Sequence, residues 1–177
     1  MNEYIEKLQR IAKTIDSSIK VVPKTHWVFQ PSIQVGRLFC VDITDCGGAF
    51  GNYVGIPDGM DLPSATEMVV HECYHVRQKR LLGLGIPFIG HWIGSLVMFL
   101  LCLLPFPVLL SWFKFRFELN ADDHMCDYLI NVGELSPQYL DIFSQERAKE
   151  ISSATYGWAW PYPWTLKAYK KCMEKKQ

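Results

Sequence analysis

The amino-acid sequence predicts an α+β fold, in which a short N-terminal β-sheet is followed by helices. Two observations support this class. Short apolar segments bounded by glycine or proline fall between residues 20 and 56, whereas longer segments with helical periodicity come before and after them. At 177 residues the chain is long enough to bury a core without disulfides, and we predict a single domain over 1–177.

The N-terminal elements are predicted from the spacing of their apolar residues. Apolar side chains recur on one face from Asn2 to Ile19, which predicts an amphipathic helix. Gly47–Gly51 is rich in glycine and is predicted to be a flexible turn. Short strands are predicted at Lys20–Val22, His26–Gln30, Gly36–Ile43 and Asn52–Ile56.

The next predicted helix carries the pentapeptide HECYH at residues 71–75. Ser64 is its predicted N-cap, in a capping box with Glu67, and Gly83 ends it. Histidines four positions apart share one face of a helix, so both imidazoles can reach one metal ion. The glutamate between them, Glu72, can then take a proton from a water molecule beside the metal. Without a metal, the pattern is a helix that carries two histidines for packing or surface reasons.

Three more helices are predicted in the C-terminal half. One runs from Phe115 to Val132, with Gly133 as its cap. Another begins at Ser136, where a proline in the first turn follows the capping serine. The last begins at Thr165, after an aromatic and proline-rich loop.

A catalytic zinc usually has three protein ligands, so a third must come from elsewhere in the chain. The extended motif HExxHxxGxxH is absent, because Gln78 and Leu81 stand where it has glycine and histidine. Glu118 on the later helix is the predicted third ligand. Asp122 shares its face and can accept the second ring N–H of a ligating histidine. Glu118 could also be an ordinary exposed carboxylate, and the competing ligands are His124, His91 and His26.

The combination of HECYH with Glu118-x-x-x-Asp122 resembles the gluzincins, the HExxH…ExxxD metallopeptidases. Within them it looks most like the CAAX-prenyl-protease and heat-shock membrane peptidase group, whose helix contains Glu-x-x-Ala-Asp. The resemblance covers these two helices. It implies a small zincin-like domain with an active-site helix, a glutamate helix and a bound Zn²⁺. It also implies an edge strand that pairs with the substrate, for which Tyr53, Val54 and Gly55 are the candidates.

The implied activity is hydrolysis of a peptide or protein substrate. His71, His75 and Glu118 would hold Zn²⁺, and Glu72 would act as general base toward the attacking water. Gluzincins also use a later tyrosine or histidine to stabilise the oxyanion. Tyr156 is the first candidate for that role, and His124 is the second.

From Leu81 to Phe113 the sequence contains no Asp, Glu, Lys or Arg. Within this segment, Ile86–Leu104 alone approaches the roughly 20 apolar residues that span a bilayer. A single crossing would separate the motif histidines from Glu118, so residues 84–113 are predicted to form a hydrophobic helical hairpin that returns to its starting side. The hairpin could contact a membrane, pack in a larger protein assembly, or belong to the core of the domain.

Composition narrows the remaining possibilities. Eighteen Lys and Arg residues balance eighteen Asp and Glu residues, so no basic field predicts nucleic-acid binding. The polar N-terminus predicts no signal peptide and no CxxC pair is present, so we expect reduced thiols and a location on the cytoplasmic side. The hydrophobic segment adds the expectation that the protein is associated with a membrane. The alternative function is a non-catalytic binding or assembly protein of zincin fold, such as a phage or bacterial structural component. Hydrolysis of a non-peptide amide is a third possibility.

Overall fold

A computed structural model describes residues 3–38, 44, 46–83, 90–103, 108–153 and 160–176. These residues are mostly helical and include one small three-stranded sheet, which confirms the predicted α+β class. The chain divides into two compact units, Met1–Met98 and Phe99–Gln177. The single zincin-like domain stays a prediction. The helices and strands of the described residues are α1 (Glu3–Ile15), β1 (Lys20–Pro23), a 3-10 helix (Trp27–Phe29), α2 (Gln30–Leu38), β2 (Gly48–Phe50), β3 (Tyr53–Ile56), α3 (Leu62–Leu82), α4 (Gly90–Leu103), α5 (Val108–Asn131), a 3-10 helix (Pro137–Tyr139), α6 (Leu140–Ile151), α7 (Tyr162–Met173) and a 3-10 helix (Glu174–Lys176).

The sheet has the strand order β1-β3-β2, with β1 parallel and β2 antiparallel to β3. Tyr53, Val54 and Gly55 were predicted to lie on an edge strand, and this prediction is wrong. Both sides of β3 are already paired, so its backbone cannot accept a substrate strand. The edges of the described sheet are β1 and β2.

Two further strand predictions in the first unit are wrong. Residues predicted as the strand His26–Gln30 form a 3-10 helix and the start of α2 instead. Pro31 explains part of the difference, because a residue without an N–H suits the first turn of a helix better than a strand. The predicted strand Gly36–Ile43 begins inside α2, and its residues 39–43 lie outside the described residues.

The region around Gly47 also differs from the predicted turn. Residues Gly48–Phe50 pair with β3 and form a strand, and the turn itself lies at Gly51, which has a φ of 59°. A positive φ favours glycine, because other residues meet steric conflict there. The glycine-rich stretch therefore provides both an edge strand and a tight turn.

The core of the first unit holds α3 against the sheet. One buried cluster joins α1, β1, β3 and α3, and Cys73 of the motif is fully buried within it. A second cluster, centred on Phe29, covers the opposite face of the sheet. Because its buried face is fixed in this way, α3 has a defined rotation about its own axis.

The ends of α3 are only partly as predicted. Asp61 caps the helix, not Ser64, and its carboxylate accepts a hydrogen bond from Ser64 N at 3.0 Å. Aspartate is as strong a cap as serine, and Pro63 is then accommodated in the first turn. The helix ends before Gly83, as predicted.

Two helices of the second unit begin earlier than predicted, whereas α6 begins at Leu140, after a 3-10 helix that follows the predicted start at Ser136. The start of α5 is Val108, and α7 begins at Tyr162, with a proline in its first turn. Gly133 lies two residues after Asn131, the last residue of α5, and has a φ of 75°, so its predicted capping role is confirmed. α6 and α7 pack against each other.

The hydrophobic segment 84–113 contains α4 and the first residues of α5. Residues 84–89 and 104–107 lie outside the described residues, and the returning hairpin stays a prediction. None of the described helices combines the length and the apolar composition needed to cross a bilayer.

Candidate metal centre

In the first unit, α3 presents His71 and His75 on one face. Their Nε2 atoms lie 2.9 Å apart, and the two rings meet at an interplanar angle of 81°. His75 is buried and His71 is half-buried. Helical spacing alone brings the two nitrogens together, as the motif predicts.

Gln78 fixes the orientation of the His75 ring. The Nδ1 atom of His75 lies 2.8 Å from Gln78 Oε1. An amide oxygen only accepts hydrogen bonds, so Nδ1–H must be the donor. In the neutral imidazole the Nε2 atom then keeps its lone pair, which is the form of histidine that binds a metal.

Gln78 changes the interpretation of Asp122. The sequence predicted that Asp122 would accept the second ring N–H of a ligating histidine. For His75 that position is taken by Gln78, three residues further along the same helix. The contact between Gln78 and His75 could have been predicted from the sequence, since positions three apart share a helical face.

In the second unit, α5 carries Glu118 and Asp122 one turn apart. Arg147 of α6 lies between them and approaches both carboxylates. Its Nη2 is 3.6 Å from Glu118 Oε2, and its Nε donates to Asp122 Oδ2 at 2.9 Å. A second bond from Nη2 to Asp122 Oδ1, at 3.3 Å, completes a bidentate pair.

Tyr169 of α7 completes this polar group. Its hydroxyl donates to Asp122 Oδ2 at 2.5 Å, and both side chains are buried. Burial and the neighbouring Asp122 charge raise the pKa of Tyr169 well above its usual range, so the phenol remains protonated. Neither Arg147 nor Tyr169 was predicted, because no local spacing connects them to Asp122.

His71, His75 and Glu118 are a group that could hold a metal ion. Two imidazole nitrogens and a carboxylate oxygen form a donor set that suits a transition metal. The predicted oxyanion donor, Tyr156, lies outside the described residues.

Comparison with known proteins found no relative. No protein-family model matches the sequence, and no curated protein or solved structure matches it significantly. The geometry of the candidate centre is therefore the basis for a functional assignment.

Proposed function

We propose that the protein is a zinc-dependent peptidase with a zincin-like, gluzincin-type site. The observation that carries the proposal is the histidine pair on α3, with Nε2 atoms 2.9 Å apart and with Gln78 orienting one ring. Two nitrogens bound to one tetrahedral zinc at about 2.0 Å lie about 3.3 Å apart. A small outward movement of the rings therefore suffices to admit the ion.

Glu118 is the proposed third ligand, and the fourth position would remain open. Two histidines and a glutamate are among the ligand sets that hold catalytic zinc. When bound, zinc supplies a Lewis acid that polarises a carbonyl and makes a water molecule more acidic. Arg147 orients Glu118 by its charge, since it lies 3.6 Å from one carboxylate oxygen.

Glu72 is the proposed general base. It accepts a proton from the attacking water and passes that proton to the leaving amine. A site that only stabilised the fold would not need a carboxylate in this position. Tyr156 is retained as the proposed donor to the developing oxyanion.

The strand that could pair with a peptide substrate is β2, which is an edge of the described sheet. Lys79 of α3 donates to Ala49 O at 2.5 Å, so β2 lies along the helix that carries the histidines. A side chain built on Gly47 would collide with Met68, which also belongs to α3. An extended peptide added to this edge would run beside α3.

Metal analysis combined with proteolysis tests this proposal. We expect purified protein to contain one equivalent of zinc and to cleave members of a broad peptide library. A chelator should abolish cleavage, and added zinc should restore it. The His75→Ala variant should lose both zinc and activity, because its Nε2 is a ligand.

The matched control is His26→Ala, which removes a histidine that caps the 3-10 helix after β1. This variant should retain zinc and activity. Zinc-free wild-type protein, or cleavage that a chelator does not affect, would contradict the proposal.

Association with a membrane is the second part of the proposal. Gly94 and Ser95 of α4 pack within the first unit: a Cβ on Gly94 would collide with the Lys79 backbone, and Ser95 Oγ accepts a hydrogen bond from Gly51 N at 2.8 Å. Ile93 and Leu96 are exposed, Leu96 to 56%. An apolar helix face of this kind favours an interfacial position on a bilayer.

Liposome flotation tests the membrane proposal. Replacing both Ile93 and Leu96 by glutamine should lower the membrane partition coefficient by about 100-fold or more, because each removed side chain contributes roughly 1.5–3 kcal/mol of burial. The control is Leu81→Gln at the end of α3, where leucine is 77% exposed. Equal binding of the three proteins would contradict membrane docking through α4. If the wild-type protein does not bind liposomes but associates with other protein chains through Ile93 and Leu96, the alternative of an assembly protein is favoured.

A further inference from the structure

Lys24 is a buried lysine whose position is fixed by the sheet of the first unit. It follows β1, and its backbone N–H donates to Ile56 O at 2.8 Å. The side chain crosses Gly55, where an added Cβ would lie 3.1 Å from Lys24 Cδ. An added Cβ on Gly48 would lie 2.9 Å from Nζ. Two glycines therefore leave room for this lysine across the face of the sheet.

The ammonium group of Lys24 has little compensation for its burial. Only 5% of the residue is exposed. Among the described residues its hydrogen bond is to Gly47 O, at 3.4 Å, which is longer than a usual N–H···O bond. Nζ also lies 4.8 Å from the centre of the Phe29 ring. A buried charge of this kind is unfavourable unless it meets an anion.

The ammonium lies near the helix face that carries the general base. Gly47 contacts both Lys24 Nζ and the side chain of Met68, and Met68 is one turn before Glu72 on α3. Burial lowers the pKa of Lys24, and the charge of Glu72 acts in the opposite direction. The charge of Lys24 therefore interacts with the charge of Glu72, the proposed general base.

Lys24 also lines a cavity of about 320 Å³, together with a second cation, Arg37. Water occupies about 30 Å³ per molecule in the liquid, so this space can accept a side chain or a chain terminus. Thr25, Gln30 and Thr44 add hydrogen-bonding groups to the lining, and Asp58 is its acidic member. With two cations and one carboxylate, the lining favours an anionic occupant.

We propose that this cavity binds a carboxylate of the substrate, either an acidic side chain or a free C-terminal carboxylate. The inference rests on the proposed peptidase function for the nature of the substrate. Lys24 provides a buried, charge-assisted donor, and Arg37 provides a planar donor at the exposed side. The protein would therefore prefer peptides with a carboxylate near the bond that is cut.

Calorimetric binding of short alanine-based peptides to the full chain tests this proposal. Each peptide is made with glutamate or glutamine at a given position, and with a free or amidated C-terminus. Titrations are run with one equivalent of zinc and, to exclude turnover, after zinc removal. We expect one carboxylate to bind at least about tenfold tighter than its neutral counterpart, the effect of a charge-assisted hydrogen bond. The glutamate and C-terminal series show which carboxylate is recognised.

The Lys24→Met variant should lose this preference, whereas Lys20→Met, which removes an exposed lysine of β1, should keep it. Arg37→Gln should weaken the preference and serves as a second variant, because its side chain is exposed and the fold should tolerate the change. Equal or undetectable binding of charged and neutral peptides to the wild type, or an unchanged preference in Lys24→Met, would overturn the inference. Binding with preference but without cleavage would instead contradict the peptidase function alone.

Discussion

The Glu72→Gln variant should retain one equivalent of zinc and lose about 10²–10⁴-fold in kcat/KM on peptides that the wild type cleaves. The amide has the shape of the carboxylate but cannot accept a proton from the attacking water. The three proposed ligands are unchanged, so metal binding should persist. Zinc content and initial rates on a fluorogenic peptide measure the two quantities separately.

Glu67→Gln is the matched control for this experiment. Glu67 is exposed and lies five residues earlier on the same helix, so the identical chemical change there should leave the rate close to that of the wild type. If Glu72→Gln cleaves peptides as fast as the wild type, Glu72 is not the general base. If Glu72→Gln also loses zinc, the loss of rate must be attributed to the site as a whole.

The Arg147→Met variant should be destabilised by about 3 kcal/mol, because it removes the cationic partner of a buried carboxylate. Asp122 is 1% exposed and forms two bonds with Arg147. The same change should weaken zinc binding by about 10–100-fold, since Glu118 loses the charge that orients it. Urea unfolding measures the first effect, and competition with a fluorescent zinc chelator measures the second.

A double variant separates these two effects. Adding Asp122→Asn to Arg147→Met removes the unpaired buried charge and should recover part of the stability, but zinc affinity should stay low. Lys170→Met is the control, because it removes an ion pair at the surface, between Lys170 and Asp141. We expect the urea midpoint of this variant to match that of the wild type. Unchanged stability and zinc affinity in Arg147→Met would refute the role assigned to this arginine.

Helices were predicted better than strands, for reasons that individual residues illustrate. The interior of α3 follows from its own spacing, and Gly83 marks its end. Its start was misplaced because Asp61 and Ser64 are both good caps, and the choice between them depends on how the first turn packs. Local signals therefore place a helix well and its first residue less well.

Strands depend on partners that lie far along the chain. β2 is a glycine-rich stretch that becomes a strand by pairing with β3. The Tyr53–Ile56 strand was predicted correctly, yet its central place depends on β1 and β2 pairing on either side of it. Pairing of this kind is set by tertiary contacts, because strand propensity is weak and depends on context.

The sequence by itself determined the histidine pair, because helical geometry places residues four apart on one face, and it identified Glu118 as the third member of the group. Only the tertiary structure decided how these side chains are held. Gln78 takes the His75 ring N–H, while Arg147 and Tyr169 arrive at Asp122 from two later helices. The burial of Lys24 beside the sheet was likewise decided by the tertiary structure. Hydrogen bonds and buried charges are made between elements distant in sequence, so their partners are fixed by packing and not by local periodicity.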